Sequence, residues 1–263
     1  MDQLVLYGSY CLASCIRYFL VAGLIYGCFN VWFHRRWAAV RIQDAPPGEG
    51  QIAHEIRWSL STIACGGLAG LVIYDLIQRG WTRVYFDVAR YGWPYFALTV
   101  VLGIVAYDAW FYWKHRLLHT SWLFRRAHHI HHRVTNPTPF ANFTHHPLEI
   151  ALSNVYFLVF VVAVPVHPLA LAAISSFVFG WGMVAHLGYE LYPRRFSRGP
   201  AFRWINSATH HNMHHSHGAC NYGLFFNFWD RTLGTNHPAY RATFDAIKAR
   251  ASTDVRYDLV VGA

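Results

Sequence analysis

The stretch YFALTVVLGIVAYDAWFYWKHRLLH, residues 95–119, predicts a membrane-spanning helix that continues beyond the membrane. Its apolar part ends at Trp113 and contains a single charged residue, Asp108. A helix of about 20 apolar residues is long enough to cross a bilayer. The helical pattern then continues, and His115 and His119 lie four residues apart and so share one helix face. The stretch therefore places two imidazoles together just past the end of a span.

Other apolar stretches predict further spans. Residues 4–33 and 60–77 are each long enough, and residues 150–185 are almost uncharged but interrupted near Pro165 and Pro168, which indicates two helices joined by a tight turn. The chain is 54% hydrophobic and only 13% charged, too apolar for an ordinary soluble domain. We therefore predict an all-α fold, an integral membrane helical bundle of four to five spanning helices with a histidine-rich helical cap.

The positive charges predict the orientation. Segments 34–59, 114–149 and 187–263 carry 4, 5 and 9 Lys or Arg residues, whereas the opposite loops carry 3. Cytoplasmic loops are enriched in these residues, so the three segments and the histidine cap are expected on the cytoplasmic side of a multi-pass protein. A net charge of +9 suits anionic lipid headgroups or an acidic protein partner. Nucleic acid is not expected, because no basic run interleaved with exposed aromatics occurs.

The N-terminal stretch has two further features. Arg17 interrupts it, where a charge costs about 2.5 to 3.5 kcal/mol on insertion scales, so this side chain is expected to face the bundle or to mark a late helix start. No positively charged segment with a small-residue cleavage site precedes the stretch, which favours a retained anchor over a removed signal peptide. A linker follows at residues 43–50. The five cysteines form no disulfide framework.

Eighteen histidines are unusual for a chain of this length. Most of the clustered ones follow helical spacing, one H-x-x-x-H and two H-x-x-H-H boxes, and all fall on the predicted cytoplasmic side. The boxes are His115 to His119, His128 to His132 and His211 to His215, with His186 at the end of the last predicted span.

The ligand type and number predict a two-ion site. Imidazole suits zinc, copper, iron and nickel, and a structural zinc site needs only four ligands, whereas the clusters offer at least nine. Neither H-E-x-x-H nor C-x-x-C occurs, and the Glu-x-x-His pattern of soluble di-iron bundles is also absent. Because imidazoles leave the charge of the ions uncompensated, the carboxylates of Asp108, Glu149 and Glu190 are expected to orient the ring N–H groups.

These boxes resemble those of the membrane fatty acid hydroxylase and sterol desaturase superfamily, over about residues 107–238. Within that region, residues 137–141 (PTPFA), His146-Pro147, residues 221–223 (NYG) and residues 229–231 (WDR) look most like the sterol C5-desaturase branch.

The resemblance implies a ligand set. Nine histidines are expected to bind two iron ions, for which zinc can substitute in a purified sample. A tenth ligand is expected to be His146 or, alternatively, Glu190. His129, His145 and His210 lie next to these ligands in sequence but off the shared face, and they are expected to be polar neighbours of the site. The nine are His115, His119, His128, His131, His132, His186, His211, His214 and His215.

The resemblance also implies an activity: O₂-dependent hydroxylation or desaturation of a C–H bond in a sterol or fatty-acyl lipid. Because the chain has no cytochrome, ferredoxin or flavin domain, an external donor is implied, of the cytochrome b5 or ferredoxin type with its reductase. Residues 1–106 then form a transmembrane anchor region with the cytoplasmic linker, 107–240 the catalytic region with the last membrane hairpin, and 241–263 a C-terminal tail.

Other functions remain possible at this point. The same scaffold suits ether-lipid cleavage, carotenoid oxidation or aldehyde deformylation. A membrane metal transporter is a non-enzyme alternative, but it favours ligands near the bilayer midplane, whereas these histidines lie beyond the helix ends. A haem cytochrome needs paired histidines inside facing spans, which are poor in histidine.

Overall fold

A computed structural model describes residues 2–196, 199–200 and 202–253. In this part of the chain the only extended pairings are three isolated bridges, so the predicted all-α class is confirmed. Four helices are long and apolar enough to cross a membrane, and a shorter apolar helix accompanies them. The fold is that of an integral membrane protein, and the range of four to five predicted spans is confirmed.

Several of the long helices extend beyond the ends of the predicted apolar stretches. The bounds of the long apolar helices are α1 Gln3–Tyr26, α3 Gln51–Gln78, α4 Gly92–Leu118, α7 Pro147–Ala163 and α8 Pro168–Ala185. The α1 helix continues as a π-helical segment, Gly27–Trp32, in which Gly27 leaves room for the Trp32 ring: a Cβ there would lie 2.9 Å from it. The α3 helix begins well before its apolar run, because polar residues such as Gln51 and Glu55 are also compatible with helix.

Shorter helices carry the polar half of the molecule. They are α2 His34–Trp37, α5 Ser121–Leu123, α6 His129–His132, α9 Ala208–His217, α10 Phe228–Thr232 and α11 Tyr240–Thr253. A π-helical turn, Phe124–His128, leads into α6, and a 3-10 turn, Pro139–Phe143, precedes α7. The region assigned to a C-terminal tail thus begins with a helix, and its residues 254–263 lie outside the described residues.

Helix starts follow the rule that proline is favoured in the first helical position. Pro147 opens α7 and Pro168 opens α8, and the histidine before each proline accepts a hydrogen bond from a backbone N–H of the first turn. The predicted tight turn lies between these two helices, from Val164 to His167.

Two loops meet at each end of the bundle. At one end, Arg83 N donates to Val161 O and Tyr85 N donates to Val166 O. At the other end, Glu190 N donates to Val40 O at 2.8 Å. Gln43 Nε2 donates to Thr135 O at the same end. The three segments predicted to share a side therefore meet at one end, whereas the assignment of that end to the cytoplasm stays a prediction.

Apolar side chains fill the space between the helices in separate clusters. One joins α4, α7 and α8 through buried residues such as Tyr107, Phe160 and Ile174. A second joins α1, α3 and α8 to the turn before α7, through Tyr18, Ile63 and Phe140 among others. Because these clusters fix the helices relative to one another, they also fix the helix ends that carry the histidines.

Candidate metal centre

The end of α4 provides the first two imidazoles. His115 lies in the last turn and is buried, and His119 follows as the C-terminal cap, with the two ring centroids 5.2 Å apart. The predicted i, i+4 pairing on one face is therefore what the structure shows.

The second histidine box lies on the π-helical turn and on α6. The wider turn before α6 brings His128 next to His115, with their Nε2 atoms 3.1 Å apart. His131 and His132 follow on α6 and point in different directions, their rings nearly perpendicular at 85°. Thus one box contributes side chains to two neighbouring groups of histidines.

The third box lies on α9, and Glu190 fixes the start of that helix. The Glu190 carboxylate accepts hydrogen bonds from Thr209 N and Thr209 Oγ1. Ser207 caps the helix by accepting from His210 N. His186, directly after α8, reaches the same region, because its Nε2 lies 3.1 Å from His211 Nε2.

The nine histidines form two clusters, in each of which one ring nitrogen per residue lies within 4.8 Å of all the others. We call them the five-histidine cluster and the four-histidine cluster. The five-histidine cluster contains His115, His119, His128, His132 and His214. The four-histidine cluster contains His131, His186, His211 and His215.

Backbone carbonyls hold most of the rings from behind. His115 Nδ1 lies 2.8 Å from Tyr222 O, His131 Nδ1 3.0 Å from Thr144 O, and His215 Nδ1 2.7 Å from Val134 O. His186 and His214 make the same kind of contact, to Gly182 O and Cys220 O. Because a carbonyl only accepts, each Nδ1 carries the hydrogen, and the lone pair is left on Nε2, inside the cluster.

Several of these inward nitrogens have no protein partner. The Nε2 atoms of His119, His132 and His214 are buried without a hydrogen bond. A buried polar atom without a partner is costly, and three in one cluster indicate a missing ligand. A metal ion bound by these nitrogens would satisfy all three.

Burial keeps several of these imidazoles neutral. Together with a smaller contribution from neighbouring histidines, it lowers the pKa of His119 to about 2, of His132 to about 3 and of His186 to about 4. Outside the spanning helices, burial also lowers the pKa of other cluster members well below the usual value: His131, His211, His214 and His215. Neutral rings at pH 7 are what metal binding requires.

Comparison with known proteins supports the same interpretation. Residues 100–235, half of the chain, match the sequence profile of the fatty acid hydroxylase family. The chain belongs to the fatty acid hydroxylase family. The resemblance recognised in the histidine boxes is thus confirmed.

Curated relatives of this fatty acid hydroxylase family member include enzymes named for sterols. A Delta(7)-sterol 5(6)-desaturase of Gibberella zeae is 30% identical over 188 residues, 72% of this chain and 57% of the relative. A lathosterol oxidase of Rattus norvegicus is 28% identical over 194 residues, 73% of this chain and 63% of the relative. A Delta(7)-sterol 5(6)-desaturase of Aspergillus fumigatus is 30% identical, over 75% of this chain and 68% of the relative.

The chain spans about three fifths of the length of the first two relatives. No solved structure matches it significantly. The likeness to the sterol desaturase branch is confirmed, whereas activity and substrate are taken up below as proposals.

The three carboxylates expected behind the rings play different roles in this family member. Glu149 is buried behind His128, with its Oε2 3.0 Å from His128 Nδ1 and its Oε1 3.0 Å from His145 Nδ1. Asp108 instead accepts from the backbone N–H groups of Phe225 and Phe226. Glu190 caps α9 as described. Among the three, Glu149 alone contacts a ring of a cluster histidine.

Neither expected tenth ligand lies in a cluster. His146 Nδ1 accepts from Leu148 N, because the residue before a first-turn proline is the cap of the helix. Glu190 uses both carboxylate oxygens for backbone and threonine donors. The structure therefore groups neither residue with the nine histidines, and the identity of a tenth ligand stays a prediction.

The off-face histidines lie close by but outside both clusters. His145 stacks on His131, with ring centroids 4.8 Å apart. His210 is buried 3.5 Å from Asp230 Oδ2. The Nδ1 of His129 is buried without a hydrogen bond, and His129 belongs to neither cluster.

Two positioning residues were not expected from the sequence. The Asp230 carboxylate accepts from Tyr222 N, Gly223 N and Thr235 Oγ1, and so fixes the loop whose carbonyls hold His115 and His214. A Cβ at Gly223 would lie 2.8 Å from Asp230 Oδ2, so the loop needs glycine there. Asp230 lies in the WDR motif used for the resemblance, which was the available signal.

The second is Glu55 of α3, which is fully buried. Its carboxylate accepts from Gln51 Nε2 and Thr138 Oγ1, and its backbone carbonyl accepts from Thr144 Oγ1 at 3.2 Å. Since Thr144 O in turn holds His131, α3 supports the four-histidine cluster. Backbone acceptors such as Thr144 O leave no signal in a sequence.

A cavity of about 160 Å³, called the chamber below, opens beside both clusters. Its walls include cluster histidines together with apolar residues of α3, α7 and α8, for example Ile63, Phe157 and Phe179. The cluster members that line it are His115, His128, His131, His186 and His211. A molecule in this chamber would contact the two clusters at once.

Proposed function

We propose that the two clusters hold two iron ions and that the protein uses O₂ to hydroxylate or desaturate a C–H bond of a membrane lipid. The observation that carries this proposal is the pair of buried imidazole clusters, with inward Nε2 atoms that have no protein partner.

The donor set fits iron. Imidazole nitrogen is a good ligand for iron, copper, nickel and zinc, and membership of the fatty acid hydroxylase family favours iron. Zinc can occupy the same nitrogens in a purified sample. The nine ring nitrogens offer five ligands at one place and four at the other.

When bound, the iron pair supplies the chemistry with O₂ that side chains cannot perform, namely removal of hydrogen from an unactivated C–H bond. The chain's own residues orient and protect. The carbonyls of Tyr222, Thr144 and Val134 fix the ring tautomers. Glu149 adds negative charge behind His128 and so offsets part of the charge of the ions.

The proposed substrate is a sterol or a fatty-acyl lipid. Relatives are named as a sterol 5(6)-desaturase and a lathosterol oxidase, and the chamber joins the clusters to the membrane-spanning helices. Apolar walls such as those of Ile63 and Phe157 suit a hydrocarbon and exclude water from the reacting atoms.

We further propose that residues 107–240 form the catalytic region, that the histidines face the cytoplasm and that electrons come from a separate cytochrome b5- or ferredoxin-type protein with its reductase. The excess of cations on the histidine side supports the orientation. Arg194, Arg195 and Arg203 are exposed there and suit an acidic carrier.

The test is a metal count combined with an oxidation assay. The purified protein is analysed for iron, then given a reductant, O₂ and either lathosterol or a membrane lipid extract, with products followed by mass spectrometry. We expect about two ions per chain and an oxidised product that requires both O₂ and reductant. A single ion per fully occupied chain, or metal-loaded protein that oxidises no lipid, would contradict the proposal.

A further inference from the structure

Arg17 lines the chamber, and the candidate metal centre described above makes no use of its positive charge. It lies in α1 on the face that also carries Tyr10 and Ser14, and all three residues line the chamber. The same chamber reaches His186 and His211. A positive charge thus lines the same cavity as the candidate metal centre.

Arg17 lies too deep in its helix to reach water along the membrane normal. It is near the middle of the candidate span Gln3–Trp32, with about 20 Å of helix on either side at 1.5 Å per residue. An arginine near a helix end extends its guanidinium to the interface, but this one is several turns from both ends. Its charge therefore needs a partner inside the bundle, and such residues usually mark a functional site.

Among the residues that the structure describes, none provides an anionic partner for Arg17. Arg17 makes no hydrogen bond or ion pair with a described residue, and its Nε is buried without an acceptor. Its guanidinium carbon lies 4.5 Å from the ring centroid of Phe179. The ring covers one face of the guanidinium and leaves its edge, which carries the N–H groups, free to donate.

The other charges of the chamber do not neutralise Arg17. Glu149 is already engaged by His128 and His145. Lys114, the second cation among the lining residues, donates to Ser153 Oγ at 2.9 Å. The chamber therefore has an excess of positive charge before any metal binds, which favours an anionic guest.

Helix α8 gives the distance from this charge to the candidate metal centre. Phe179, Gly182 and His186 share the face towards the chamber, and His186 Nδ1 donates to Gly182 O. Seven residues separate Phe179 from His186, which corresponds to about 10 Å along the helix. An anion on Arg17 would therefore place a carbon about 10 Å away next to the four-histidine cluster.

We propose that Arg17 binds the carboxylate of an acidic lipid, so that this protein oxidises a carbon remote from the acid group. This inference rests on the proposed function and narrows its substrate class. A carboxylate fits better than a phosphate monoester, which carries almost two charges at neutral pH, because Arg17 provides one. Both fatty acids and steroid acids have this chemistry, and the experiment separates them.

Binding of radiolabelled palmitate and 5β-cholanate to the purified protein in nanodiscs tests the proposal, with empty nanodiscs as the blank. Their methyl esters serve as neutral controls. We expect wild-type protein to bind one of the two acids at least about tenfold more tightly than its ester, as charge-assisted hydrogen bonds predict. We expect Arg17→Gln to remove this preference without changing ester binding, and Arg17→Lys to restore part of it.

The exposed Arg35 provides the matched control, because Arg35→Gln removes the same charge outside the chamber and should bind like wild type. An unchanged metal content of Arg17→Gln shows that the variant is folded. Failure of wild type to prefer either acid, or equal loss of acid and ester in Arg17→Gln, overturns the subsite. If wild type prefers the acid but oxidises no lipid, the proposed function fails and the carboxylate subsite stands. If wild type oxidises lathosterol but shows no preference for either acid, the subsite fails and the proposed function stands.

Discussion

The two histidine clusters differ in what lies behind their rings. In the four-histidine cluster every ring is buried, and three of the four are held by neutral backbone carbonyls. In the five-histidine cluster two rings are half-buried, and the buried carboxylate of Glu149 contacts one of the others. The four-histidine cluster is thus fully buried, with neutral partners behind its rings. The five-histidine cluster is more open and has a negative charge behind one ring.

The comparison indicates different tolerance to loss of a ligand. Four ligands are the number that a tetrahedral ion needs, so the four-histidine cluster has none to spare. The five-histidine cluster has one ring more, and its carboxylate strengthens the basicity of the ring in front of it. We therefore expect an ion in the four-histidine cluster to depend on each ring, and an ion in the five-histidine cluster to survive the loss of a half-buried ring such as His119.

The largest effect is expected when either cluster loses a buried ring whose Nδ1 donates to a backbone carbonyl. His131→Ala and His214→Ala should abolish turnover, with losses above about 100-fold, because even outer partners of metal ligands cost 10- to 100-fold. Metal content per chain should also fall. Product formation and elemental analysis provide the measurements.

His237→Ala is the matched control. The Nδ1 of His237 accepts from Ala239 N, and its ring lies beside His217, away from both clusters. Its turnover and metal content should equal those of wild type. Full activity in His131→Ala or His214→Ala would refute the assignment of these rings as ligands.

The next prediction compares the clusters directly. His186→Ala should lose one ion per chain, whereas His119→Ala, with four rings left in its cluster, should keep both and bind one of them more weakly. Titration with a chelator while metal is counted separates the two outcomes. Equal loss of metal from both variants would show that the extra ring gives no tolerance.

Charge compensation gives a smaller effect. Glu149→Gln keeps an oxygen acceptor behind His128 but removes the negative charge, so we expect the affinity of one ion to fall about 10- to 100-fold. The exposed Glu49→Gln is the control and should bind metal like wild type. If both ions weaken equally in Glu149→Gln, the carboxylate does not belong to the five-histidine cluster alone.

The smallest effect is expected at the loop behind the five-histidine cluster. The carboxylate oxygens of Asp230 accept from two backbone N–H groups, and Asp230→Asn replaces one of these oxygens by an NH₂ donor. We therefore expect the free energy of unfolding of the metal-free protein to fall by about 1 to 3 kcal/mol. Denaturant unfolding in detergent measures it. Asp87→Asn, which keeps a capping oxygen at an exposed turn, should leave the stability unchanged.

The spans were predictable from the lengths of the apolar stretches, and the resemblance of the boxes implied the nine histidines but not their division into two clusters. His115 and His119 share a face by their spacing alone, and the apolar run before them fixes that face relative to the membrane. The wide turn at residues 124–128 was not predictable from spacing, and it is this turn that brings His128 next to His115.

What the sequence missed depends on contacts between distant residues. The carbonyls of Thr144 and Tyr222 hold rings through the shape of the backbone, which residue types do not encode. His146 is different: the proline after it indicates a helix cap, and that local rule competes with its assignment as a ligand. Asp108 was expected to orient a ring N–H group and so to compensate charge, but its Oδ1 accepts from the backbone N–H of Phe225.

The support that α1 and α3 give to the turn before α7 has a practical consequence for protein engineering. Tyr18 and Ser59 donate to Phe140 O, and Glu55 O accepts from Thr144 Oγ1. A hybrid that joins the histidine-bearing half of this chain to the N-terminal helices of a relative would retain every motif but lose these contacts. Successful exchange between relatives would require the two halves to be transferred together, or Tyr18, Glu55 and Ser59 to be restored in the foreign helices.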